Sequence, residues 1–326
     1  MATSLSKLTL RDLMDAGLHY GHQTKRWNPK MKPYIYDKRN GIHIIDITQS
    51  LDMLEEALAY VKKISEDGRK ILFVGTKKQA QEVVKAAAEA SESFYMTNRW
   101  LGGTLTNAQT LRKSVRRMRQ LETMDRANGG VLSVHKKEAA SLRRELEKLQ
   151  QNLVGVADME QLPAAIFVVD VVREKNAVAE ANRLGIPVIA IVDTNADPDP
   201  IRFAIPGNDD SIRSIKLIAD CVAGVVKEGA ESYGRKAAEE RRKADSDRKD
   251  KAAAAAAIAA EKGDIPGGDD KPRAPRKPRA PRAAGAKPAG TRARTAKPAD
   301  AAKASDARRE AAKAAAEAIK ARAAKA

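Results

Sequence analysis

The sequence predicts a doubly wound α/β domain built on a parallel sheet, interrupted by an inserted antiparallel helical hairpin. Three observations carry that expectation. Short apolar runs closed by glycine or aspartate alternate with amphipathic helical segments through residue 229. Two consecutive helical segments with narrow apolar stripes stand together in the middle of that alternation. Beyond Gly229 the apolar pattern stops and the composition turns to Ala, Lys, Arg, Glu and Pro.

The chain opens with a short helix. Thr9 followed three positions later by Asp12 is a capping box, Leu10, Leu13 and Met14 give the apolar face, and Gly17 stands where it ends. From Leu18 to Tyr36 the expectation is an irregular loop, because Pro29 and Pro33 forbid regular α-helix. A β-rich piece at 43–47 leads to a helix over about 50–66, with Leu51, Leu54, Leu58 and Val61 inward and Gly68 as a stop. I-L-F-V-G after Lys70 reads as a buried parallel strand, and the next helix turns Ala80, Val83, Val84 and Ala87 inward. Phe94–Met96 reads as a shorter strand.

The insertion occupies about 106–155. In its first arm Leu111, Val115, Met118 and Leu121 recur at helical spacing; in its second, Leu142, Leu146, Leu149 and Leu153 are spaced four, three, four. Gly129 and Gly130 turn the chain between them. Neither stripe is wide enough to sit within a core, so the hairpin is expected to project. The sheet resumes with strands at 166–170, 188–193 and 203–205, separated by a helix through Ala177, Ala181 and Leu184. A last helix carries Ile212, Ile215, Ile218, Ala219, Val222 and Val226 and is closed by Gly229. Strand–helix alternation implies right-handed crossovers and helices on both faces, a flavodoxin-like α/β/α sandwich of about five strands. The domain is therefore expected over 1–229. Residues 230–326 form a tail that is mostly disordered or transiently helical.

Charge is informative only once it is divided. The 326 residues carry a net +17, with an isoelectric point near 9.8. Residues 230–326 hold 26 basic and 14 acidic side chains, leaving a net of only +5 on the first 229. A basic chain favours polyanions, nucleic acid before membrane surface. The single Cys221 sits in an apolar helical pattern and reads as a buried structural thiol. No apolar run approaches the roughly 20 residues of a membrane span, and no secretory signal is legible, so the expectation is a cytoplasmic protein.

Basic side chains interleaved with rings mark candidate RNA contacts. Lys25, Arg26, Lys30 and Lys32 accompany Trp27, Tyr34 and Tyr36 in the first loop. Lys77 and Lys78 open a helix after a strand. Arg99, Trp100 and Asn107 belong to a Gly-Gly turn, and Arg112, Lys113, Arg116, Arg117 and Arg119 cover the outer faces of the first hairpin arm. Catalytic alternatives are weaker. V-G-T-K-K has one glycine and matches neither phosphate-loop pattern, so a nucleotide-dependent enzyme is not favoured. No G-x-S-x-G is present and nothing pairs Cys221 with a base. His19 and His22, with Asp193, Asp197 and Asp199, allow an ion or partner site if the N-terminal segment folds over the sheet edge; ordinary turn chemistry explains the same residues.

Long segments then carry a family resemblance: A-G-L-H-Y-G-H-Q-T-K-R-W-N-P-K-M-K-P-Y-I-Y, K-I-L-F-V-G-T-K-K, N-R-W-L-G-G-T-L-T-N, G-I-P-V-I-A-I-V-D-T-N-A-D-P-D and I-P-G-N-D-D-S-I-R-S-I. In these, and in their order, residues from about 8 to 229 resemble the bacterial small-subunit ribosomal protein S-2 family. The resemblance implies a parallel α/β/α sandwich with an inserted helical hairpin and a non-catalytic role without cofactors. It also implies binding of small-subunit ribosomal RNA between head and body, late entry into assembly, and help in docking ribosomal protein S-1. The tail departs from the family's core pattern, and the resemblance assigns it nothing.

Overall fold

The computed structural model describes residues 8–127 and 135–261. Helix α1 (Leu10–Asp15) carries the expected capping box, with Thr9 and Asp12 bonded in both directions. The segment after it is more regular than its prolines suggest. It forms β1 (Tyr20–Gln23), two 3-10 turns (Thr24–Arg26 and Pro29–Tyr34) and β2 (Ile35–Arg39), which with β3 (Ile42–Ile45) makes a three-stranded antiparallel sheet in the order β1-β3-β2. The expected irregular loop is corrected on this point. Proline excludes regular α-helix, but this short 3-10 turn starts on Pro29 and holds Pro33 within it, and Asn28 caps it by accepting from the Lys30 N–H.

Asp46 caps α2 (Ile47–Glu66), and the chain then alternates as expected: β4 (Ile71–Val74), α3 (Lys78–Ala90) and β5 (Phe94–Met96). The hairpin follows as α4 (Ala108–Ala127) and α5 (Lys136–Leu153); its Gly129-Gly130 turn lies outside the described residues. Then come β6 (Ala165–Val169), α6 (Lys175–Arg183), β7 (Val188–Val192), β8 (Phe203–Pro206) and α7 (Ile212–Glu261). Strands β4 to β8 form one parallel sheet in the order β5-β4-β6-β7-β8.

Strand period two splits the core. Ile71, Phe73, Phe167, Val169, Ile189 and Ile191 face α2, α3 and α7; Leu72, Val74, Ile166, Val168, Ala190 and Val192 face α6 and the foot of the hairpin. The hairpin does not simply project. Leu111, Val115, Met118, Leu121, Leu146 and Leu153 are buried in the second of these clusters, because the narrow stripes meet each other and the sheet's helix layer rather than solvent.

Gly229 does not close the last helix. Helix α7 runs through it to Glu261 as one element. A Cβ at Gly229 would stand 2.4 Å from the Ser65 Cβ and 3.1 Å from its carbonyl carbon, so the missing side chain lets α7 and α2 approach closely. Four residues on, the Tyr233 ring lies over Gly68. The tail expected from 230 thus begins as helix, and residues 262–326 lie outside the described residues.

Candidate nucleic-acid interface

The N-terminal sheet docks on the ends of β7 and β8. The Asn28 N–H donates to the Thr194 carbonyl at 2.7 Å, the Asn208 N–H to the Leu18 carbonyl at 3.0 Å, and the His22 N–H to Thr194 Oγ1 at 2.9 Å. Met31 is fully buried in the core, which turns its neighbours Lys30 and Lys32 to solvent. Lys25, Arg26 and Trp27 are also exposed, and the Trp27 ring leans on His43 with centroids 5.4 Å apart. Lys30 is tied to Asp197 at 2.7 Å and Asp199 at 2.5 Å.

The docking brings together part of the expected His/Asp group and adds members. His22 Nδ1 lies 2.8 Å from Asp193 Oδ2 and Nε2 3.6 Å from Asp210 Oδ2, while His19 stands apart against Tyr20. One donor atom each from His22, Asp193 and Asp209 falls within 4.8 Å of the others, a nitrogen-and-oxygen set that could hold a divalent cation. Asp193 holds the His22 imidazolium above its usual range against the opposing effect of burial, with Asp209 and Asp210 adding to it. Burial, then the Asp193 charge, pushes Asp209 up to about 6. Asp209 and Asp210 were missed in the sequence because P-G-N-D-D-S reads as a cap; only the fold brings that loop to His22.

Lys77 is drawn into the same corner. It is 14% exposed and sits 2.8 Å from Asp209, 2.5 Å from Asp210 and 3.7 Å from Asp170. Burial lowers its pKa, but the Asp209 and Asp210 contacts outweigh that and raise it. Its charge is spent inside the protein, whereas the next residue, Lys78, is exposed.

The Gly-Gly turn is organised by a residue the sequence did not single out. Glu180 of α6 accepts from the Trp100 Nε1–H at 3.0 Å and from the N–H groups of Gly103 at 2.7 Å, Leu105 at 3.0 Å and Thr106 at 3.2 Å. Burial works against the carboxylate, but these donors together lower its pKa. Trp100 is therefore a buried brace rather than a stacking surface, and Gly103 (φ +88°) supplies the left-handed residue that lets successive N–H groups converge. Arg99 and Asn107 remain exposed at the rim.

Along α4, Arg112, Lys113, Arg116, Arg117 and Arg119 are all exposed. Three of them also brace the hairpin. Arg117 meets Glu145 of α5 at 2.9 Å, Arg119 meets Asp158 at 2.6 Å, and Arg112 donates to the Glu160 carbonyl. Lys113 and Arg116 have no carboxylate partner among the described residues.

The fold is a flavodoxin-like α/β frame, and comparison with known proteins sets the class: a ribosomal protein, structural rather than an enzyme. Within that class, the chain belongs to the ribosomal protein S2 family: residues 13–229 match the family model described as Ribosomal protein S2. It is 54% identical over 227 residues to the small ribosomal subunit protein uS2 of Fusobacterium nucleatum, covering 69% of this chain and 91% of that one. It is 49% identical over 229 residues to the protein of the same name from Bdellovibrio bacteriovorus, covering 70% and 73%.

Proposed function

We propose that this protein is a structural constituent of the small ribosomal subunit in the cytoplasm, supporting translation. It binds small-subunit ribosomal RNA through exposed cations and helps to dock ribosomal protein S-1. Membership of the family carries the ribosomal assignment. The RNA reading is supported by cations without carboxylate partners among the described residues: Lys25, Arg26 and Lys32 on the N-terminal turns, Lys78, Arg99, and Lys113 and Arg116 on the hairpin. Such side chains neutralise phosphates and set orientation, and a folded RNA is recognised largely by shape. Of the remaining hairpin arginines, Arg117 ties the two arms together through Glu145, and Arg112 and Arg119 tie the first arm to residues 157–160 beyond the second.

The S-1 reading is supported by a groove of about 550 Å³ between α1 and the antiparallel sheet. Leu10, Met14, Tyr20, Tyr36 and Ile42 line it and are all exposed, an apolar and aromatic patch suited to a short protein segment. Sedimentation tests the assignment. The protein is expected to pellet with small subunits at low salt; recovery only in the free protein fraction would sink it. Subunits carrying Tyr20→Ala with Tyr36→Ala are expected to keep this chain and lose ribosomal protein S-1.

A further inference from the structure

The parallel sheet has a topological switch point between β4 and β6, where successive crossovers leave in opposite directions, and ligands of such sheets bind outside the strand C-termini there. A crevice of about 580 Å³ lies at that place. Its walls are Thr76 after β4, Asn98 and Arg99 after β5, Arg173 after β6, and Lys148 with Asn152 from α5. Three cations converge from three separate elements, and among the described residues no carboxylate lines the crevice. We propose that this crevice seats one backbone phosphate of the ribosomal RNA, held by Arg99, Lys148 and Arg173. The inference rests on the RNA-binding reading above and gives it a socket, with two residues, Lys148 and Arg173, outside the set the sequence suggested.

The walls are fixed before a ligand arrives. Asn98 Nδ2 donates to Asn152 Oδ1 at 2.9 Å, tying the end of β5 to the hairpin. Arg173 Nε donates to Thr76 Oγ1 at 2.9 Å, which orients the guanidinium while leaving its terminal nitrogens for an anion. Thr76 is itself gripped by the buried Glu174, through both its N–H and its hydroxyl. The contrast along the same sheet edge is informative. Lys77, one residue from Thr76, is neutralised by Asp170, Asp209 and Asp210. Arg99, Lys148 and Arg173 have no carboxylate ion pair among the described residues. Arg173 feels the buried Glu174 behind Thr76, but among the described residues no carboxylate pairs directly with the three cations, and like charges in a cleft focus a positive potential that a phosphate relieves. The turn after β4 matches neither glycine-rich phosphate-loop pattern of a free-nucleotide site, which favours a polymer phosphate.

The test uses the full chain and full-length small-subunit ribosomal RNA, measuring affinity across about 50 to 200 mM salt. The variants are the triple Arg99→Gln, Lys148→Gln, Arg173→Gln and the double Arg99→Gln, Lys148→Gln, which spares the Thr76 contact should the triple fail to fold. A control removes three exposed charges elsewhere: Lys62→Gln, Lys63→Gln, Arg69→Gln. The socket variants are expected to bind roughly tenfold more weakly at low salt and to lose about one unit of salt slope, with the control unchanged. If wild type binds and the socket variants bind equally well, or the control falls as far, the socket is overturned and the RNA reading stands. If wild type itself does not bind, both fail. Titration with a mononucleotide separates the remaining source: micromolar binding lost in the double variant would assign the crevice to a free nucleotide instead.

Discussion

The hairpin and the N-terminal sheet are both appended to the parallel sheet, and they are attached by opposite means. The hairpin is held by a continuous apolar stripe, Leu111 to Leu121 on one arm and Leu142 to Leu153 on the other, merging into the core. The N-terminal sheet is held by points: the separate buried side chains of Leu18, Met31 and Ile45, a few backbone hydrogen bonds to Thr194 and Asn208, and the charge cluster around His22. Strands β1 and β2 bury no residue, in β2 only Ile35 is even half-buried, and β3 buries His43 and Ile45. A stripe shares its load and ties the attached element to global stability. Point contacts allow the attached element to loosen alone.

The largest effect is expected in the stripe. Leu121 is fully buried, and Leu121→Ala should cost about 2–5 kcal/mol in urea unfolding, in one cooperative transition. Gly21→Ala tests the other mode. A Cβ there would stand 2.6 Å from Thr194 Cγ2 and 3.2 Å from the His43 carbonyl. Its cost, about 1–3 kcal/mol for overpacking, should appear as faster amide exchange in β1 and β3, with little change in the hairpin. Equal acceleration in both would erase the distinction.

A third pair carries the comparison to α7. Gly229→Ala gains helix propensity but meets Ser65, so it should be net destabilising by about 1 kcal/mol; Gly234→Ala meets nothing within 4 Å and should stabilise the helix by up to about 1 kcal/mol. Thermal melts of the two variants should move in opposite directions.

The smallest effect is a pH dependence confined to the N-terminal sheet. His22 is raised above 6.5, so its contribution is complete below 6.5 and is lost as pH rises through the folded value. Asp209 is raised from 3.8 to about 6, so its ionisation opposes folding and its contribution likewise fades as pH rises through about 6. Protection of the His22 and Asn28 amides, corrected for intrinsic exchange, should be higher at pH 6 than at pH 8. Unchanged protection would show that the cluster's charges do not govern the docking.

The same comparison explains what could be read without coordinates. The hairpin was legible because its burial follows a helical period, and β4, β6 and β7 because they are apolar throughout. Of the N-terminal strands only β3 was legible, as the β-rich piece at 43–47; β1 and β2 were not, since short strands without a buried residue leave no alternation to detect. Most candidate cations were correctly placed at the surface, but Lys77 was not distinguishable from Lys78 by sequence. The carboxylates that neutralise it come from 93, 132 and 133 residues further along the chain.

By itself, the sequence determined the sheet strands, the helices between them, the hairpin and the family, because local periodicity and long matching segments need no third dimension. The tertiary structure alone decided which charges are spent and which are open. It set Lys77 among three carboxylates and left Arg99, Lys148 and Arg173 around a crevice. It also made Trp100 a brace on Glu180 and Gly229 a point of close approach rather than a stop. Each of these depends on which distant residue arrives within a few ångströms, and a linear pattern does not encode that distance.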